Sequence, residues 1–166
     1  SDKVIERIKR NDTVDSMSLS GGDLSSLIEN RERCETLGAL IGSNTHLKSL
    51  SIDHLWSVSG DTKQNFDIFL RGVANNTSIT TMELGVCRDA SIYVIEILTA
   101  IFENNAMETI KFMNCNSTRA QQLAKALHGR SESKLKDLHL VGSTDYMNDA
   151  VGSILVNILD NMDCLE

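Results

Sequence analysis

The sequence predicts an α/β solenoid, in which short parallel strands stack side by side and a helix carries the chain from each strand to the next. Three observations point that way. A phrase that, counted from its first apolar anchor, is apolar at positions one, four and six recurs within THLKSLSI, TSITTMEL, NAMETIKF and SKLKDLHL. Between these phrases the apolar residues change to helical spacing. Both patterns return every 28 to 33 residues, a period that means a stacked repeat before any other architecture.

The elements follow in chain order. VIERIKR, with Val4, Ile5 and Ile8 on one face, predicts a short capping helix within residues 1–12. Units then open at Val14, Leu47, Ile79, Met107 and Leu135, and Leu165 is in phase to open an incomplete sixth. In each unit the next two anchors alternate as a strand requires: Met17 and Leu19, Leu50 and Ile52, Met82 and Leu84, Ile110 and Phe112, Leu138 and Leu140. Helical faces come next. Leu24, Leu27 and Ile28, then Leu37, Leu40 and Ile41, serve the first unit, and Phe66, Phe69, Leu70 and Val73 the second. Ile92, Ile95, Leu98, Ile101 and Phe102 serve the third, Leu123, Ala124 and Leu127 the fourth, and Val151, Ile154, Leu155, Ile158 and Leu159 the fifth.

Asn44, Asn76 and Asn105 stand two or three residues before the next unit opens, where a helix must stop. Asn tolerates the left-handed backbone that such stops often use, so that conformation is expected there. A strand, a helix and a parallel strand need a crossover, and stacked right-handed crossovers give a right-handed α/β solenoid of about five units. All 166 residues are expected to form one such domain.

These residues resemble the leucine-rich repeat family, in its long-repeat, ribonuclease-inhibitor-like form, over nearly the whole chain. The family pattern reads L-x-x-L-x-L-x-x-[N/C] before a helix, and Cys87 and Cys115 hold its ninth position in adjacent units. The resemblance implies that both are reduced, buried ladder residues; a disulfide between them is the alternative. Gly22, Leu55 and Ser143 hold the ninth position in other units, so the polar ladder is expected to break at those turns. The order of a short helix, N-D, a strand and SNTHLKSLSI is similar to the carboxy-terminal repeat domain of tropomodulins, which cap actin filaments. Phrases such as N-T-x-L-x-x-L-x-L recur across this repeat subtype whatever the partner, so an actin-capping role stands behind a more general one.

Composition narrows the functional classes. A net charge of −7, a pI near 5.1 and no Lys/Arg cluster exclude nucleic acid as the expected partner. No run of about 18 apolar residues occurs and SDKVIERIKRND is charged, so neither direct membrane insertion nor a secretory signal is expected. Cys34, Cys87, Cys115 and Cys164 lie far apart without a C-x-x-C pair, which argues against a zinc cluster or a thioredoxin-type site. The cytoplasm or another reducing compartment is the expectation. Because the chain begins at Ser1, import into an organelle stays open.

Catalytic and metal chemistry find little support. His46 falls at a turn, His54 follows a strand, His128 ends a helix, and His139 alone lies on a strand face. Asp137 and His139 together supply only two ligands, and Lys111 is expected beside His139. No phosphate-binding loop, nucleophile elbow or H-E-x-x-H helix occurs, so no catalytic residue, metal or cofactor is expected. Sequons stand at Asn11, Asn76 and Asn116, and without a signal peptide they are expected to be accidents of Asn/Ser/Thr-rich turns. Some proteins of the resembled repeat type activate small GTPases; Arg88 and Arg119, just past strands, are the arginines such a role would use.

A surface remains. The third, fifth and seventh positions of the strand phrase face away from the buried anchors. They place Ser49, Ser51, Asp53, Thr81, Glu83, Thr109, Lys111, Met113, Asp137, His139 and Val141 on the inner, concave face. Solenoids bind partners on such faces, and this small, polar, mixed-charge row suits a protein. The expected function is a non-catalytic protein-interaction module, using that face and its open carboxy-terminal edge. The alternative is a structural subunit of a larger assembly; actin-capping and GTPase-regulatory roles come after it. Since a sixth strand at Leu165 lacks residues to continue, a partner or further sequence is expected to cover the edge.

Overall fold

A computed structural model describes residues 2–10, 15–55, 61–86, 106–113, 135–141 and 156. Helix α1 (Asp2–Lys9) precedes β1 (Ser16–Leu19), α2 (Gly21–Ile28), α3 (Arg31–Ser43), β2 (Ser49–Leu55) and α4 (Asp61–Ala74). The strands β3 (Thr81–Val86), β4 (Thr109–Met113) and β5 (Asp137–Val141) follow. All five strands form one parallel sheet in the order β1-β2-β3-β4-β5. Chain order equals spatial order, as a stacked repeat requires, and the fold is an α/β solenoid.

The repeat phrase sets the register. Met17, Leu50, Met82, Ile110 and Leu138 pair in one row across the sheet, and Leu19, Ile52, Leu84, Phe112 and Leu140 in the next. Leu50 and Ile52 are fully buried, with Met82, Leu84, Ile110 and Phe112 nearly so. Burial of one such side chain contributes about 1.5–3 kcal/mol. The opening anchors Leu47, Ile79, Met107 and Leu135 join the same core. Towards β5 cover thins, and Leu138 and Leu140 are only half-buried.

Strands β2 to β5 also begin the same way. The N–H groups of Lys48 and Ser49 both donate to the Asp15 carbonyl, those of Thr80 and Thr81 to Lys48, those of Glu108 and Thr109 to Thr80, and those of Lys136 and Asp137 to Glu108. One carbonyl per unit thus receives two donors from the next.

The helices pack against this sheet through the predicted faces. Leu24 and Leu27 of α2, Leu37 and Ile41 of α3, and Phe66, Phe69, Leu70 and Val73 of α4 are buried. The first unit divides its helical segment in two. Glu29 ends α2, and Asn30 restarts the chain by accepting the Arg33 N–H on its side chain at 3.0 Å. Helix α1 packs beside α3, with Ile8 against the core. The helices expected over 92–102, 123–127 and 151–159 lie outside the described residues, apart from Val156, which is helical and exposed.

Four expectations need correction. Gly22 does not stand in a turn; it lies within helix α2. His54 does not follow a strand; it lies within β2. Leu55 is not in a turn either. The register shifts between Ile52 and Leu55, so that Leu55 pairs with Val86 rather than with the following residue, which gives β2 one extra residue against β3. Asn44, finally, is not left-handed: its backbone is extended, with φ −72° and ψ 130°. Its side chain makes the turn instead, the Oδ1 accepting the N–H groups of His46 and Leu47, each at 2.8 Å.

Candidate functional site

The face of the sheet opposite the buried anchors carries two polar rows. Ser16, Ser49, Thr81, Thr109 and Asp137 form one, and Ser18, Ser51, Glu83, Lys111 and His139 the other. Parallel strands lie about 4.8 Å apart, so neighbours within a row are in reach of each other. Every one of these side chains is half-buried or exposed. Ser16 and Ser18 extend the rows to β1; the signal was present, since they hold the third and fifth positions of the unit that opens at Val14.

The seventh position is less regular. Gly85, Met113 and Val141 pair laterally, and Val141 is 45% exposed. Asp53 does not join them, because it lies in the part of β2 where the register shifts.

Charges on and beside this face are paired across strands. The Lys111 ammonium is 3.9 Å from the Glu83 carboxylate, and Lys136 is 3.1 Å from Glu108 at the rim. The Thr109 hydroxyl lies 3.4 Å from the Asp137 carboxylate. Both ion pairs are open to solvent, where such a pair contributes about 0–1 kcal/mol, so they pattern the surface more than they hold the fold.

Among the described residues no three His, Cys, Asp or Glu side chains come together as metal ligands, and no helix is long and apolar enough to cross a membrane. His46 is exposed at its turn and His139 is exposed on β5. Cys34 is fully buried, and its thiol donates to the Leu27 carbonyl at 3.3 Å. Burial, helped by the charge of Glu35, pushes that thiol up to about 11, which removes it as a nucleophile near neutral pH. Cys87, Cys115, Cys164, His128, Arg88 and Arg119 lie outside the described residues.

The polar network that joins the repeats lies elsewhere, at the helix-to-strand turns. Asn76 is 4% exposed and its amide is fully engaged. Its Nδ2 donates to the carbonyls of Ile41 and Asn44, at 2.5 and 2.7 Å, and its Oδ1 accepts the N–H groups of Ser78 and Ile79, at 2.7 and 2.8 Å. The Ser78 hydroxyl lies 2.9 Å from both the Asn44 and the Leu47 carbonyls. Asn65 of α4 donates in the same fashion to the Ile28 carbonyl at the end of α2, at 2.8 Å. The phase of Asn44 and Asn76 was legible in the sequence, whereas the part played by Asn65 was not.

Beside this network α3 and α4 meet backbone to backbone. A Cβ on Gly38 would lie 2.7 Å from the Phe69 carbonyl, one on Gly72 would fall 2.6 Å from the Gly38 Cα, and Gly42 faces the Gly72 carbonyl. Glycine is required there because no side chain fits between the helices.

With this geometry in hand, comparison with known proteins gives a structural likeness only. No family model matches the chain, and no curated protein matches it in sequence. Among solved structures it is similar to actin-binding site 2 of leiomodin-1, with a TM-score of 0.59 and 18% identity, over 96% of this chain and 89% of that one. It is also similar to the tropomodulin carboxy-terminal domain from Caenorhabditis elegans, with a TM-score of 0.53 and 12% identity, over 96% and 93% of the two chains.

Proposed function

We propose that this chain is a non-catalytic protein-binding module that engages its partner through the open face of the sheet. The observation that carries this is the pair of polar rows crossing all five strands in register. Their side chains are spared from the core, and a protein partner can meet them without disturbing the buried anchors. The 28-residue spacings from Ile79 to Met107 and from Met107 to Leu135 support the long, ribonuclease-inhibitor-like form of the leucine-rich repeat, with the chain forming a single domain. The free thiol of Cys34 supports a reducing, intracellular setting.

Photo-crosslinking tests the surface. A crosslinker placed at Ser51 or His139 should capture the partner, and one at the exposed Glu32 of α3 should not. Capture from Glu32 alone would overturn the assignment and favour a structural subunit held by its helices.

Actin is the second reading, favoured by the solved structures above, one of which is named as an actin-binding site. At 18% and 12% identity that likeness supports the fold and leaves the contact residues unassigned. Co-sedimentation with filamentous actin and a filament-end elongation assay decide it. Binding that Lys111→Glu weakens would join the two readings, and no binding at micromolar actin would remove the second.

A further inference from the structure

Asn76, Thr77 and Ser78 spell a sequon, the acceptor of N-linked glycans, which normally marks a surface loop of a secreted protein. Here the tripeptide is built into the interior. Asn76 is 4% exposed and Ser78 8%, and only Thr77 faces solvent. Both Nδ2 protons of Asn76 are committed to backbone carbonyls of the preceding unit. The Ser78 hydroxyl, the other group that a sequon needs, lies against two carbonyls of that unit.

From this geometry we infer that Asn76 is a glycan acceptor of the unfolded chain only, and that a glycan there prevents the second unit from docking on the first. Transfer from a lipid-linked oligosaccharide diphosphate forms a bond between Nδ2 and the anomeric carbon. The bond from that carbon to the lipid diphosphate breaks, and one amide proton leaves with the diphosphate. The glycosylated nitrogen keeps one proton, so one of the Ile41 and Asn44 carbonyls loses its bond to Asn76. The sugar must then occupy the space where that carbonyl now lies. Nothing small can yield, since both are main-chain atoms at the end of α3 and in the turn that starts β2. The end of α3 and the turn before β3 would be forced apart, and with them the bonds from Thr80 and Thr81 to Lys48 that begin β3. The native protein is therefore one whose Asn76 has never been glycosylated, and it must fold either out of reach of the oligosaccharide transferase or ahead of it.

Translation of the full chain, behind a cleavable signal, into glycosylation-competent microsomes tests this. Occupancy is mapped at Asn76 by the mass change left after enzymatic deglycosylation, in protease-resistant and protease-sensitive pools separately. Chains occupied at Asn76 should lose protease resistance, and the resistant pool should carry an unmodified Asn76. A Ser78→Ala chain keeps the Asn76 amide and the other three sequons, at Asn11, Asn75 and Asn116, but lacks this acceptor, so it should be recovered protease-resistant from the same microsomes. Equal resistance of occupied and unoccupied chains would overturn the steric half of the inference, and complete lack of occupancy at Asn76 the acceptor half. If Ser78→Ala is resistant when made in a cytosolic lysate but not in microsomes, routing rather than the glycan blocks folding, and the inference fails.

Discussion

Replacing Asn76 by Asp is the most discriminating perturbation of this fold, because it keeps the shape of the side chain and changes only its protons. The Oδ1 bonds from the Ser78 and Ile79 N–H groups survive. The second oxygen faces the carbonyls of Ile41 and Asn44, which lose both donors that Nδ2 supplied. Both carbonyls keep a second donor, the Asn44 N–H for Ile41 and the Ser78 hydroxyl for Asn44, so the cost lies in the two lost bonds, about 0.5–1.5 kcal/mol each, and in burying a carboxylate against two carbonyl dipoles. We expect Asn76→Asp to lose about 3 kcal/mol or more at neutral pH, a large share of a net stability of about 5–15 kcal/mol. For a chain of this length the midpoint of thermal unfolding should fall by about 6–12 °C.

The loss should also depend on pH, with a definite sign. A protonated carboxyl can again donate to one of the two carbonyls, so folding favours the protonated form and raises the pKa of the introduced acid above its unfolded value of about 3.9. A group with a raised folded pKa is best tolerated below the unfolded pKa, and its deficit grows as pH rises through the folded one. The gap between the wild-type chain and the variant should therefore narrow on acidification from pH 7 towards about 4. Urea unfolding of both chains at a series of pH values reads this directly. A gap below about 0.5 kcal/mol at pH 7, within the range of ordinary surface substitutions, would refute the buried network, and so would a gap that widens on acidification.

Three further outcomes are expected. Gly72→Ala drives a Cβ into the Gly38 backbone and should cost about 1–3 kcal/mol in urea unfolding, whereas Gly22→Ala, with nothing within 4 Å, should be close to neutral. Lys111→Glu removes the 3.9 Å contact with Glu83, sets two acids side by side, and should shift stability by no more than about 1 kcal/mol; binding of the partner should weaken in a salt-dependent way. Cys34 should resist thiol reagents in the folded protein and react once urea unfolds it. With its thiol pushed up to about 11 by burial, its contribution to stability should hold below pH 9.0 and decline from there to about pH 11, a slope that Cys34→Ala should lack.

The strands were the most legible part of the fold. Period-two anchors at Leu50 and Ile52, or Ile110 and Phe112, express a property of single strands, and a slip of one residue would expose every one of them. The apolar anchors of the phrase end at its sixth position, however, and so say nothing about the extra residue that places Leu55 against Val86. The asparagines were legible in phase and not in conformation. Whether Asn44 turns the chain with its backbone or with its amide depends on which N–H groups come within reach, and the bonds of Asn76 to Ile41 and Asn44 span 35 and 32 residues. Such contacts exist only after two repeats stack. Gly38 and Gly42, four apart on α3, could have been read as one small-residue stripe, but only the crossing of α3 and α4 shows that Gly72 is what they meet.

The candidate site was legible for the same reason as the strands, and its limit has the same cause. Side-chain parity assigns Ser51, Glu83, Lys111 and His139 to the open face, and register aligns them across four strands. Parity says where a residue lies and nothing about what it meets. In this chain the buried anchors hold the sheet, the asparagines and glycines join neighbouring units, and the open-face residues carry little of either load. The rows can therefore change identity at small cost in stability, because the exposed pair of Glu83 and Lys111 contributes at most about 1 kcal/mol. A partner imposes constraints on such a surface that folding does not. The repeat grammar, which is written in the residues that folding constrains, consequently reports the architecture clearly and is silent about the identity of the partner.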